Sequence, residues 1–339
     1  MQPFVYSRAE DAAAALRNGN ASLPSAVESA NQYLAGGTTL VDLMKLNVMR
    51  PRMVVDINAL EKTAAQIELG AQGLRLGALA RMSAVADSAD IRKNFPVIAQ
   101  SLELAASAQI RNMASLGGNV LQRTRCIYFR DTSYPNCNKR TPGSGCAALE
   151  GINRMHAVLG TSRDCIATYP GDFGQALIAL DAQVEVQGQD GKRAFPFAQL
   201  HRQPGASPHI ETTLKEGELI TAFTIPALPF AKRSLYLKIR DRSSYEFALA
   251  SAAVALDLEG DKVRDVRIAL GGVATVPWRA ADAEARLKGK GLDDQTLTEV
   301  ANAAFAGATG HGHNDFKVEL GKRTLTRALK QAAAMEIPT

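Results

Sequence analysis

Outside residues 126–165 this 339-residue chain has no cysteine at all. Cysteine is therefore not a general core filler here, and whatever the four thiols do is confined to one segment. No stretch approaches the roughly 20 apolar residues of a membrane span. At the N-terminus Arg8, Glu10 and Asp11 interrupt what would have to be an unbroken apolar run in a signal peptide. The expectation is a soluble chain made in the cytoplasm, with no membrane insertion. Aromatics make up only 6% of the residues, the formal net charge is a mild +5, and no dense basic run occurs. Nucleic acid is therefore a poor partner. No GxGxxG and no GK[ST] loop is present. Of the histidines, only His311-Gly312-His313 has anything like ligand spacing, and it sits in a glycine-rich loop. No Ser-His-Asp or paired-carboxylate arrangement can be picked out, so no catalytic residue is assigned.

The length exceeds one ordinary core and predicts two or three domains. A helix is expected over Ser7–Gly19 and a short strand at Tyr33–Ala35. A helix over Leu40–Leu46 and strands at Met53–Ile57 and Leu74–Ala78 follow. Helices are expected at Met82–Asp87 and Phe95–Ala108, then a turn-rich stretch from Ile110 to Asn119. Pro135, Pro142, Gly143 and Gly145 argue against regular structure in the cysteine segment, which resumes at Ala157–Gly160. Val184–Gln187 reads as a hairpin strand and Leu219–Ile225 as another, stopped by Pro226. Pro226 and Pro229 bracket the best domain boundary. Three strands, Ser234–Ile239, Ala248–Leu258 and Val263–Leu270, come next, then helices ending with Phe316–Met335.

Two glycine turns carry the first chemical signal. Ala35-Gly36-Gly37-Thr38-Thr39 joins a strand to a helix, and Ser115-Leu116-Gly117-Gly118-Asn119 repeats the logic about 80 residues later. Glycines let backbone amides approach an anion closely, and threonine hydroxyls can donate to it. Either turn alone is as well explained by structure; two in one domain suit a ligand with two phosphates, a dinucleotide.

The cysteines are the second signal. Cys126, Cys137, Cys146 and Cys165 are separated by ten, eight and eighteen residues, with no CxxC pair such as structural zinc sites usually show. Four thiolates could hold a four-iron cluster or a zinc ion, and disulfides or free thiols also stay open. Arg123, Arg125, Arg130, Lys139 and Arg140 surround the first two cysteines against a single acid, Asp131. Such a basic cluster would offset the negative charge of a thiolate-bound cluster, or face an acidic partner surface.

These motifs resemble a known family. Leu34 to Leu40 with Lys45, and Ile110-Arg111-Asn112 through Asn119, look like the two FAD-pyrophosphate motifs of the flavin subunits of the xanthine dehydrogenase family. Gly217-Glu218-Leu219-Ile220, Tyr236-Leu237-Lys238 with Arg240, and Phe247–Ala250 are similar too, so the resemblance runs over nearly the whole chain. Most such subunits lack the cysteine segment. Here Arg125-Cys126, Pro135–Arg140, Gly143–Leu149 and Asp164–Ala167 resemble the insert of the flavin subunits of bacterial periplasmic aldehyde oxidoreductases. A related insert occurs in hydroxybenzoyl-CoA reductases. In both, four cysteines hold a [4Fe-4S] cluster.

The resemblance implies an α+β fold. An FAD-binding domain (1–229) of two α+β subdomains, PCMH-type, about 1–57 and 58–229, would carry the cluster insert at about 123–166. A C-terminal domain (230–339), like that of CO dehydrogenase flavoproteins, would have a three-stranded antiparallel sheet with helices. It implies that Leu34, Ala35, Gly36, Gly37, Thr38, Thr39 and Leu40 wrap the pyrophosphate and ribityl region of FAD. Ser115, Gly118 and Asn119 would make a second phosphate contact, Asp172 another FAD contact, Ile220 the adenine contact and Lys238 the flavin-end contact. Cys126, Cys137, Cys146 and Cys165 would ligate the cluster.

Two partner subunits are implied, a large one with molybdopterin that oxidises an aldehyde and a small one with two [2Fe-2S] clusters. An external acceptor takes the electrons. Export with a signal-bearing partner to the periplasm is implied as well. Competing readings are a hydroxybenzoyl-CoA reductase-like flavin subunit, an FAD scaffold with a structural zinc, and a free-standing flavin oxidase.

Overall fold

Twelve strands and thirteen α-helices are spread along the described residues, and proline or glycine closes most of the strands. In a computed structural model describing residues 1–19, 22–23 and 25–337, three sheets are built. The first is a small parallel sheet of β1 (Val5–Arg8), β2 (Glu28–Leu34) and β3 (Arg50–Asp56), with β3 in the centre. The second comprises β4 (Ile67–Gly70), β5 (Gly73–Gly77), β6 (Gln183–Gly188), β7 (Gly191–Pro196) and β8 (Leu219–Pro226), ordered β4-β5-β8-β6-β7 and antiparallel throughout. The third holds β9 (Ser234–Ile239), β10 (Ala250–Glu259), β11 (Lys262–Gly271) and the two-residue β12 (Trp278–Arg279), ordered β12-β11-β10-β9.

The chain is thus α+β, with a C-terminal sheet of three long antiparallel strands and one short edge strand beyond the three expected. The expected helix from Ser7 is shorter at its start: Ser7 and Arg8 pair in parallel with Val55 and Asp56, and the helix begins at Ala12. Pairing with a strand 48 residues away overrides local preference. The expected helix Phe95–Ala108 ends at Glu103, and a separate turn of helix runs from Ala108 to Met113. Between them Ala106 has a positive φ of 47°. Ala157–Gly160 forms no strand, only an isolated bridge between Leu159 and Ala274.

β10 shows how the C-terminal sheet joins the rest. Every residue from Ala250 to Leu256 is buried, because both faces are covered. Ala253 and Ala255 belong to one core with Phe173, Phe223 and the helix Pro96–Glu103, whereas Ala252, Val254 and Leu256 pack with Leu325 and Leu329 of the long helix Phe316–Ala333. Small residues on one face let the helices Pro96–Glu103 and Phe173–Ala179 sit close. Asp172 and its neighbours are therefore fixed at a seam between sheets. Among the described residues no helix is long and apolar enough to cross a membrane.

Candidate cofactor cleft and cysteine cage

The two glycine turns are brought together. Gly36 lies against the backbone of Met113, so closely that a Cβ there would collide with the Met113 carbonyl, and Gly37 takes a positive φ of 73°. Only glycine fits both demands. A polar tie holds the approach: Asn58 Nδ2 donates to the Ala35 carbonyl at 3.1 Å, Arg81 reaches Asn58 Oδ1 at 3.1 Å, and Arg81 also binds the Met113 carbonyl. Asn58 and Arg81 are site-building residues that sequence reasoning missed, since nothing local marks their partners.

Among the described residues, none accepts a hydrogen bond from the amides of Gly36, Gly37, Thr38, Thr39 or Leu40. These residues are half-buried, and a run of neighbouring amides with no protein acceptor can receive an anion. Across the gap, Ser115 caps the short helix Leu116–Val120 by accepting from Gly118 N at 3.2 Å. Asn119 donates to Met82 Sδ but keeps a buried Oδ1 with no partner, and Arg123 likewise keeps a buried, unpartnered Nη1.

Two cavities flank this junction. The smaller, about 150 Å³, is lined by Leu34 to Leu40, Ser115, Gly118, Arg123 and Ile220. The larger, about 680 Å³, is lined by Asn119, Asp172, Tyr169, Arg125, Cys126 and His156, among others. Thr38 and Thr39 line both, so the two form one elongated cleft. Its size lies in the usual range for a cofactor site.

Asp172 faces the larger cavity from the start of the helix Phe173–Ala179 and is only 4% exposed. Its carboxylate accepts from Tyr236 OH at 2.6 Å and pairs with Lys238 Nζ at 2.8 Å. Burial, and then the Asp172 charge, push the Tyr236 hydroxyl well above its usual pKa, so it stays a donor. Lys238 lines neither cavity; it stands behind Asp172 and also donates to the Leu104 carbonyl at 3.0 Å.

The cysteine segment folds beside the larger cavity with one short helix, Ile127–Arg130. Cys137 and Cys146 bridge as antiparallel neighbours around a turn in which Gly143 and Gly145 have positive φ. Asn138 Nδ2 donates to the Asp164 carbonyl at 2.9 Å, drawing the Cys165 loop in. All four cysteines are free, and all four line one cavity of about 10 Å³. Among the described residues no three His, Cys, Asp or Glu side chains close on a single-ion site. Burial pushes the Cys126 thiol up to about 12 and the Cys165 thiol up to about 11, with the neighbouring cysteines adding to both. Thiols as desolvated as Cys126 and Cys165 give up their protons only against a strong positive charge, and four cysteine sulfurs are the donor set an iron–sulfur centre uses.

Cys126 lines both the cage and the larger cavity of the cleft. His156 stands there too, 4% exposed, with Nε2 3.1 Å from Cys126 Sγ. Burial, and then the nearby Lys317, lower the His156 pKa to about 4. Lys317 is itself fully buried, and burial brings its pKa down to about 7.

The basic residues around the cage are partly balanced by two acids from outside the segment. Asp42 takes Arg130 at 2.7 Å and Arg125 at 3.2 Å; Glu211 takes Arg123 at 2.9 Å and Lys139 at 3.0 Å. Arg140 binds the carbonyls of Tyr128, Phe129, Asp131 and Tyr134. They are therefore mostly braces that hold the insert onto the fold, a role that linear sequence hides because Asp42 and Glu211 are distant.

Comparison with known proteins agrees with this geometry. Residues 2–228 match the FAD binding domain in molybdopterin dehydrogenase, and residues 235–332 match the CO dehydrogenase flavoprotein C-terminal domain. The chain is 44% identical to the aldehyde oxidoreductase FAD-binding subunit PaoB of Escherichia coli, over 98% of this chain and 99% of that one. It is 25% identical to the glyceraldehyde dehydrogenase medium chain of Sulfolobus acidocaldarius, over 97% and 98% of the two chains. The reconstituted CO dehydrogenase from Oligotropha carboxidovorans shares the fold, with a TM-score of 0.76 at 24% identity and 99% of each chain covered.

Fold and cleft together define an FAD-binding oxidoreductase subunit. The chain belongs to the family of FAD-binding medium subunits of molybdenum hydroxylases.

Proposed function

We propose that this chain is the FAD- and [4Fe-4S]-carrying electron-transfer subunit of a three-subunit molybdenum-dependent aldehyde oxidoreductase. In that assembly a molybdopterin subunit oxidises the aldehyde, a [2Fe-2S] subunit relays the electrons, and an external acceptor receives them. The aldehyde reading rests on the extent of similarity to the E. coli aldehyde oxidoreductase subunit, which runs nearly end to end in both chains. The observation that carries the electron-transfer reading is that Cys126 is common to the walls of the cleft and the cage. When bound, FAD would supply a carrier of two electrons, and a [4Fe-4S] cluster a carrier of one.

The chain's own residues bind and orient these groups. The free amides of Gly36 to Leu40, with Thr38 and Thr39, would hold the pyrophosphate, and Leu34 and Ala35 would flank it. Ser115, Gly118 and Asn119 would make the second phosphate contact, and Ile220 would meet the adenine end in the smaller cavity. Asp172, fixed by Tyr236 and Lys238, would accept a hydrogen bond from the flavin end in the larger cavity. Cys126, Cys137, Cys146 and Cys165 would ligate the cluster, and the Asp42 and Glu211 braces would hold the insert against the fold. A division at 229/230 between the FAD-binding and C-terminal domains follows the same reading, as does export to the periplasm on a partner's signal.

The test is copurification of the tagged full-length chain from its native source. The proposal expects two further subunits, molybdenum, and aldehyde-dependent reduction of an added dye. It also expects no aldehyde turnover by the chain alone. Turnover by the chain alone would overturn it.

A further inference from the structure

His156 has no part in the binding roles above, yet it stands against Cys126, which lines both cleft and cage. It lines the larger cavity, and its Nε2 lies 3.1 Å from Cys126 Sγ. Its other ring nitrogen, Nδ1, is buried and has no partner. A metal-bound cysteine sulfur carries no proton, so in that state the hydrogen of this contact must come from Nε2. The ring is then an N–H donor aimed at a ligand sulfur.

The ring's position is not left to its own loop. Lys317 Nζ donates to the His156 carbonyl at 3.1 Å and to the Gly272 carbonyl at 2.6 Å. Asn314 Nδ2 donates to the Ala157 carbonyl at 2.9 Å, and Ala157 N pairs with the Ile166 carbonyl at 2.9 Å. Lys317 is wholly buried, and both its recorded acceptors are backbone carbonyls. Burying a lysine amine to hold two carbonyls is costly, and the pair it holds is informative: Gly272 lines the cleft, and His156 reaches the cage. The C-terminal domain thereby reaches across to fix the junction.

We infer that His156 is a positioning residue that donates Nε2–H to the Cys126 sulfur, raises the reduction potential of the cluster, and is held in register by Lys317 and Asn314. The inference rests on the reading that the cage holds a [4Fe-4S] cluster. Reduction adds negative charge that is shared by the ligand sulfurs, and a donor on one of them stabilises the reduced form more than the oxidised form.

The experiment uses the full-length chain, purified anaerobically with any subunits that accompany it, as wild type, His156→Phe and His156→Gln. Iron and sulfide are assayed first, and the cluster potential is then followed by EPR during redox titration. The result expected is a lower midpoint in His156→Phe and a midpoint near wild type in His156→Gln, whose amide can replace the donor. An unchanged midpoint in His156→Phe, or an equal fall in both variants, would overturn the inference while leaving the cluster reading intact. Wild type lacking iron and sulfide would overturn both. Should His156→Phe fail to take up iron, the wild type labelled with ¹⁵N-histidine decides: a weak ¹⁵N coupling on the reduced-cluster signal supports the donor, and its absence overturns it.

Discussion

At the residue scale, Asp172 and Gly36 show how few positions define the cleft. The Asp172–Lys238 pair is almost fully enclosed, with side chains 5% and 1% exposed. Removing one partner of such a pair strands a buried charge and costs about 3–5 kcal/mol. Lys238→Met should therefore lower the unfolding free energy by that order and release flavin; chemical denaturation with flavin release as a second readout checks it. A loss below about 1 kcal/mol, the scale of an exposed pair, would contradict the buried-pair account.

Gly36→Ala forces a Cβ into the Met113 carbonyl and pushes the two turns apart. Overpacking of this kind costs about 1–3 kcal/mol, so FAD should bind roughly tenfold more weakly or worse. Gly118→Ala meets only the rotatable Ser115 Oγ and should lose less. Equilibrium titration of the apo-chain with FAD would rank the two.

At the scale of elements, the insert is held by braces rather than by its own regular structure. Burial alone would raise the Glu211 pKa, but Arg123 and Lys139 outweigh it and bring it down to about 2. A carboxyl whose folded pKa lies below its unfolded value stabilises the fold above the unfolded pKa, near 4.5, and loses that contribution as pH falls toward about 2. Glu211→Gln should cost roughly 3 kcal/mol at pH 7. The gap to wild type should begin to close below about pH 4.5, the unfolded carboxyl value. Urea denaturation of both proteins across this range measures it; a gap independent of pH would show that the carboxylate charge is not what holds the insert.

Much at this scale was legible beforehand. Met82–Asp87 and Ser234–Ile239 were readable to the residue, because apolar periodicity and flanking turn formers agree there. The glycine turns and the four cysteines were legible because their chemistry is local. The start of the first helix was not, because β1 exists only through β3. Asn58, Arg81, Glu211 and Lys317 were invisible for the same reason: each acts on a partner that lies far away in sequence. The basic cluster was visible, but its role was not, since its acids lie at positions 42 and 211.

At the scale of the whole molecule, three sheets place one elongated cleft and one cysteine cage on either side of Cys126. Cys146 lines the cage but not the cleft. Cys146→Ser should therefore lose iron and sulfide yet keep FAD with an unaltered absorption band. Cys126→Ser should lose the iron and also shift the flavin band, because its loop walls the larger cavity. Equal loss of flavin from both variants would mean that the cage and cleft are not separate compartments.

Cleft and cage together would let one chain hold two electron carriers side by side. The most direct test is a visible and EPR spectrum of the anaerobically purified chain before and after dithionite, with flavin, iron, sulfide and zinc counted on the same sample. A two-carrier chain gives about one FAD with about four irons and four sulfides, a broad iron–sulfur absorption beneath the flavin bands, and a paramagnetic signal that appears on reduction. Flavin accompanied by zinc, or by nothing bound at the cysteines, would contradict it.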